Sequence, residues 1–229
     1  MFASFELYRR LISVRIRGQM HYRLPFLLDV FSTLVQTGVS FLSIALVLEK
    51  FNNIAGWTLG EVAFLYGTVE ASFGLMDMIF SGFDPQNFAS QVRLGTFDQM
   101  LLRPVGLTLQ VLGSEFLVRR VGRILQGVAV LLLAISLAHI RWTWLKALYL
   151  PVVIASLVAF FGGLFIIGAT LCFWTVDSLE AINIFTYGGT EMMSYPMTIY
   201  QDWMRRFFTF ILPAIFLNFY PSLYFLDKP

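Results

Sequence analysis

Four stretches of mainly apolar residues, each long enough to cross a bilayer as a helix, and a fifth that is more broken, limit what this chain can fold into. A spanning helix needs roughly 20 such residues. The runs cover 25–48, 61–82, 106–138 and 147–174, with the weaker material after residue 175. Composition agrees. The chain is 58% hydrophobic and only 13% charged, with a mean hydropathy of +0.73, too apolar for a water-soluble domain of 229 residues. The fold class expected is all-α and integral to the membrane, a polytopic helical bundle formed by residues 1–229 as a single transmembrane domain. A net charge of +2 is too small to point to nucleic acid. The lone Cys172, inside an apolar run, excludes a structural disulfide or a site of several thiolates and reads as a small core residue.

Residues 1–20 place Phe5, Tyr8, Ile12 and Ile16 at steps of three or four among Arg9, Arg10, Arg15 and Arg17. That describes an amphipathic interfacial helix ending near Gly18, or equally a basic flank of the first span. No small-residue cleavage site follows, so it is not a cleaved signal peptide. Asp29 is the only charge in the first span. Basic residues set the orientation. The N-terminal segment and the stretch 81–123 carry about five each, against one or two in the loops after spans one and three. The N-terminus and the loop after span two are therefore cytoplasmic. Trp142 and Trp144 read as interfacial anchors, and His139 beside them as a lone boundary histidine without a ligand role.

Span two carries two carboxylates, Glu70 and Asp77, seven residues apart and close to one face. A carboxylate at the bilayer centre costs about 3 kcal/mol on insertion scales, so both should face protein or water. They line a translocation path or make an interhelical polar contact. Two small-residue stripes, Ala63, Gly67, Ala71 and Ala155, Ala159, Gly163, predict close helix packing. Glu115 and Arg119 stand four apart at the entry to span three. Residues 175–229 are broken by Asp177, Glu180, Glu191, Asp202, Arg205 and Arg206 and by Pro196, Pro213 and Pro221. Either 181–200 is a weak span followed by a re-entrant pair of short helices, or it is cytoplasmic and followed by a broken span. Both readings put irregular backbone at membrane depth, which must be buried in protein or line a cavity.

The polar interruption at 81–105 reads as a structured unit. Asp84-Pro85 is a helix start, an acceptor at the cap and proline at the first helical position, and Gly95 is a stop. Thr96 and Gln99 match a capping box opening a second short helix, closed by Arg103-Pro104. Phe88, Val92, Phe97 and Leu101 would form the apolar side of a knob, with Arg93, Asp98 and Arg103 as its polar contacts; the alternative is a solvated connector resting on headgroups. Several chemistries lack their residues. There is no HExxH, no GxSxG, and only His21 and His139. Lys50, Lys146 and Lys228 are the only lysines and none follows a glycine, so a GxxxxGK[ST] phosphate loop cannot form. If ATP is used, another chain hydrolyses it.

The phrase GTFDQMLLRPVG, from Gly95 to Gly106, resembles the segment joining spans two and three in permease subunits of ABC-2 type export systems, in particular a subgroup often encoded beside a second permease and an ATPase. YPMTIYQDWMRRFFTFILPAIFLNFYPSLYFL, from Tyr195 to Leu226, is similar to the same subgroup's late region. The resemblance covers the whole chain in layout and is specific in these two stretches. It implies an ABC-2 bundle of the type V exporter kind with about five to six transmembrane helices, an interfacial helix at 1–20, a cytoplasmic coupling helix within 83–104, and a proline-broken region at 196–226. It implies no catalytic activity in the chain itself: ATP and Mg would be bound by ABC ATPase subunits, and the further partners would be a second permease copy or a paralogous permease, the lipid of a bacterial cytoplasmic membrane, and an exported substrate. The family normally has a final span returning to the cytoplasm, which is expected beyond residue 229 or absent. The rival expectations are an ATP-independent ion-coupled carrier or channel using Glu70 and Asp77, and a membrane scaffold without transport.

Overall fold

The computed structural model of the chain describes residues 2–21, 23–51, 55–116, 120–175 and 180–228, and every element in it is helical. The elements are α1 (Phe2–His21), α2 (Arg23–Phe51), α3 (Leu59–Phe80), α4 (Pro85–Arg93), α5 (Thr96–Leu101), α6 (Leu107–Ser114), α7 (Val121–Leu137) and α8 (Trp144–Thr175). Then come α9 (Glu180–Asn183), a π-helical turn (Ile184–Gly188), α10 (Gly189–Met193), α11 (Asp202–Phe210) and α12 (Phe219–Phe225). By length and apolarity two described helices can cross a membrane, α3 with its continuation to Arg93 and α8; the pair Asp202–Phe210 and Pro213–Phe225, bent by 74°, adds a third if counted as one broken span. Arg119, Asp177 and the side chains of Phe5, Tyr8 and Asp29 lie outside the described residues.

Helix α3 is the axis of the bundle. Its large side chains Phe64, Leu65, Tyr66, Val69, Phe73 and Met76 are all buried, as expected of a helix that is apolar on every side. It lies antiparallel to α7 with the backbones in close approach. A Cβ on Gly60 would lie 2.7 Å from the amide nitrogen of Ala138, and one on Gly67 2.7 Å from that of Leu131. Gly74 faces Ile124, and on the other side Gly127 faces the backbone of Ala71. The seam thus runs through Gly60, Gly67 and Gly74, a seven-residue repeat of the kind that keeps one face against a partner helix. Ala63 and Ala71 are buried beside it.

Several expectations are corrected. Helix α1 does not end at Gly18, which keeps right-handed backbone; it runs on to His21 and packs on α6, Leu11 against Gly113, while the Gln19 side chain donates to the Phe116 carbonyl. Span three is not continuous from 106 to 138. The chain leaves helical geometry at Glu115 (φ −135°, ψ 130°), where the Glu115 carbonyl accepts from Ser81 Oγ at 2.8 Å and its carboxylate accepts from Asn87 Nδ2 at 2.9 Å. These bonds replace the helical ones and staple the break to the α3–α4 corner. The second small-residue stripe does not pack within the chain. Ala155 and Ala159 are exposed and Gly163 has open space at its Cβ position, because α8 turns a different face inward: Gly162 meets the Phe80 ring and Gly168 meets Pro85 and Ile182.

The late region solves a hydrogen-bond problem that its sequence creates. Pro196 has no N–H to continue α10, so carbonyls at the end of that helix lose their partners. Tyr200 donates its hydroxyl to the Met192 carbonyl at 3.2 Å, and the buried Asn218 side chain bridges the carbonyls of Met193 (2.9 Å) and Leu65 (3.3 Å). Beyond α12, Lys146 on α8 donates to the Phe225 carbonyl and pairs with Asp227 at 2.7 Å; Lys228 pairs with Glu61 on α3 at 2.7 Å and sits over the Trp57 ring. This corner therefore ties the starts of α3 and α8 together.

Filling the seam should be costly and filling the open stripe should not. Gly67→Val is expected to lower stability by about 1–3 kcal/mol through overpacking, and Gly163→Ala to change it by less than about 0.5 kcal/mol. Thermal unfolding of the detergent-solubilised protein compares them; equal melting temperatures for the two variants would refute the seam.

Candidate functional site: a polar cavity beneath the α4–α5 unit

Four elements enclose a polar cavity of about 450 Å³ inside an otherwise apolar bundle. Helix α2 contributes Thr33, Gln36 and Ser40, α3 contributes Tyr66 and Glu70, the start of α7 contributes Arg120 and Arg123, and the segment through the π turn contributes Tyr187, Gly188 and Glu191. Glu70 is held in a two-point pair, with Arg123 Nε donating to Oε2 at 2.6 Å and Nη2 to Oε1 at 2.9 Å. The Arg123 guanidinium also lies 4.5 Å from the centre of the Phe73 ring. One turn away, Arg120 Nε approaches Asp77 Oδ2 to 2.8 Å, an ion pair without an aligned hydrogen bond. Both carboxylates are buried, and both guanidinia come from α7. The two acids seven apart on α3 thus meet two bases three apart on α7, which adds charge pairing to the glycine seam. Glu191 lines the same cavity, and no ion pair to its carboxylate is found among the described residues.

At the end of the bundle where α3 gives way to α4, α4 and α5 form a compact unit fastened to α8. Asp84 caps α4, its Oδ1 accepting from the amides of Gln86 (3.0 Å) and Asn87 (3.3 Å), and Gly95 turns the chain with φ +69°. Thr96 and Gln99 do not form a capping box. Thr96 is already the first helical residue, after the αL glycine, and its hydroxyl instead donates to the Gln91 carbonyl at 3.0 Å. Gln110 Nε2 closes the far side, donating to the carbonyls of Met100 (3.0 Å) and Val105 (2.8 Å).

Of the four residues expected to form the outward apolar side, Phe88, Val92 and Phe97 turn into the chain instead, and Leu101 stays exposed. Phe88 and Phe97 are buried in the chain's own core, their rings 5.4 Å apart and each edge-on to Phe173 of α8, at 5.5 and 5.1 Å. Val92 packs beside them, with Cys172 buried beneath and its Sγ donating to the Pro85 carbonyl. Aromatic rings beside a helix end gain more by filling that gap than by facing water. Leu94, Leu101 and Leu102 are the exposed apolar residues, 74%, 57% and 86% accessible, with Arg93, Asp98 and Arg103 exposed among them.

Of the two acids singled out in the sequence, Glu70 lines the cavity and Asp77 pairs with Arg120 beside it, while the other lining residues were not foreseen as a site. Thr33, Gln36 and Ser40 carried a signal, polar residues at steps of three and four within an apolar run. Arg120 and Arg123 count in the sequence among the basic residues of 81–123, whose ordinary reading is topological, and Tyr187 carries no signal.

Breaking one side of the buried pair should be worse than removing both. Glu70→Leu leaves Arg123 uncompensated and is expected to cost about 3–5 kcal/mol, whereas Glu70→Leu with Arg123→Met should recover most of it. Unfolding midpoints in detergent measure this, and a double variant no more stable than the single one would contradict it.

A family model described as "ABC-2 family transporter protein" matches residues 34–229. No curated protein and no solved structure matches the chain. The match takes in α2 from residue 34 onward, the other elements that enclose the cavity, the α4–α5 unit and the broken late region, and on that ground the chain belongs to the ABC-2 family of membrane transporter proteins.

Proposed function

We propose that the chain is the permease subunit of an ATP-driven exporter in a bacterial cytoplasmic membrane, paired with a second copy or a paralogous permease above two ATPase subunits that bind ATP and Mg. Helices α2, α3, α7, α8 and the α9–α10 segment are the five crossings, α1 lies at the cytoplasmic interface, and α11–α12 form a re-entrant pair on the outer side. The observation that carries the reading is the α4–α5 unit. Its buried aromatic face is fastened to the end of α8, while Leu94, Leu101 and Leu102 stand exposed beside Arg93, Asp98 and Arg103. An exposed apolar patch rimmed by charge on a rigid mount suits a groove on a soluble partner. Closure of an ATPase pair would move this mount as a body, because its interior contacts are aromatic packing and capped helices.

The ion-coupled carrier is less favoured by the same geometry. A carboxylate that exchanges protons or cations during transport has to be released, and Glu70 and Asp77 each have an arginine within 2.9 Å.

Copurification tests the proposal. An ATPase subunit is expected to copurify with the chain, and Leu101→Glu with Leu102→Glu should abolish that association while the permease keeps its melting temperature, since both side chains are exposed. Retention of the ATPase by this double variant would rule out docking on α4–α5.

A further inference from the structure

The α4–α5 unit and the polar cavity share one side chain. Tyr187 sits in the π-helical turn and lines the cavity beside Glu70, Arg120 and Arg123. Its ring packs against Phe73 of α3, with centroids 5.3 Å apart, and against Phe165 of α8 at 6.3 Å. Its hydroxyl leaves the cavity and donates to Asp84 Oδ2 at 3.1 Å. Asp84 is therefore used twice: Oδ1 caps α4 and Oδ2 holds Tyr187. Tilting α4 turns that carboxylate, so it either pulls the tyrosine or breaks the bond. A π turn carries about one more residue per turn than the α-helix around it, and such turns recur at functional sites within helices. Phe73, which Tyr187 touches, also lies under Arg123, so a displaced ring disturbs the Glu70–Arg123 pair from its apolar side.

We propose that the Tyr187 hydroxyl and the Asp84 carboxylate form the link that ties the position of α4 to the shape of the membrane cavity, with Tyr187 as a positioning residue for transport. This rests on the proposed function, since α4 is moved by the ATPase. Tyr187→Phe keeps the ring contacts and removes the bond. Asp84→Ser keeps a good N-cap on a side chain too short to reach Tyr187.

The test uses the copurified complex with ATPase, carrying Cys172→Ala and Gln36→Cys, so that the cavity holds the one thiol of this chain. The rate of modification by the methanethiosulfonate reagent MTSET is compared with and without ADP and vanadate trapped after ATP hydrolysis. With Tyr187 and Asp84 present, trapping should change the rate by about fivefold or more, the lower end of ordinary coupling between sites. Tyr187→Phe and Asp84→Ser should each reduce that change to below about twofold while nucleotide is still trapped, and the double variant should add nothing, as expected of partners in one interaction. The link is overturned if either single variant keeps the full change, if the unsubstituted pair shows none, or if the variants no longer trap nucleotide, which would make the contact a requirement for docking. A complex that contains no ATPase at all refutes the proposed function instead.

Discussion

The pairing of Glu70 and Asp77 on α3 with Arg123 and Arg120 on α7 is the interaction on which the arrangement depends. Inside a bilayer, apolar side chains gain nothing by leaving lipid for one another, so helices associate through close packing and polar contacts. The glycines of α3 bring the two backbones near enough for both. Remove the seam and the arginines would sit too far from the acids; remove the acids and two guanidinia would be left at membrane depth without counter-charge. Geometry and charge therefore select the same register, and neither is sufficient alone. The cavity lies beside this clamp: the pairs hold α3 and α7 together, and the polar faces of α2 and of the π-turn segment line the gap opposite them.

The extent to which this was legible in the sequence depends on how local each code is. Asp84-Pro85 and Gly95 act on neighbouring backbone, and α4 begins and ends at them. The capping box at Thr96 was a local pattern overridden by another: the αL glycine already reverses the chain, and the threonine hydroxyl then finds the Gln91 carbonyl behind it. The direction of Phe88 and Phe97 is not a local property. An amphipathic pair of short helices has one apolar side whether it faces a partner protein, lipid or its own bundle, and only the position of Phe173, more than seventy residues away in sequence, decides among them.

The same distinction explains the two stripes of small residues. Read at a period of four, both predict packing, yet only one packs within the chain. The seam that forms is read at a period of seven, and it is a property of α3 and α7 jointly, since Gly127 supplies the approach that Ala71 cannot. A stripe states which face could admit a neighbour; it does not state which neighbour is there. Arg120 and Arg123 show the reverse case, charges whose placement at a helix entry had an ordinary topological reading and whose actual partners lie on another helix.

Mechanically, the chain is stiff at both ends and looser between them. At one end Lys146, Asp227, Lys228 and Glu61 lock the start of α8 to the start of α3, and Asn218 and Tyr200 tie the broken segment after α10 back onto the bundle. At the other end the phenylalanine cluster bolts α4 and α5 to α8. Between these, one wall of the cavity is built from α2 and a helix interrupted by a π turn, and among the described residues that turn is hydrogen-bonded to the α4–α5 end through Tyr187 and Asp84. Displacement applied at α4 enters the bundle through α3, which runs on into α4 by way of Ser81–Phe83, through α8 and through Tyr187. The α8 route moves a helix of 32 residues as a rod. The Tyr187 route acts on the π-helical turn and, like the route through α3 with Glu70, opens onto the polar groups of the cavity.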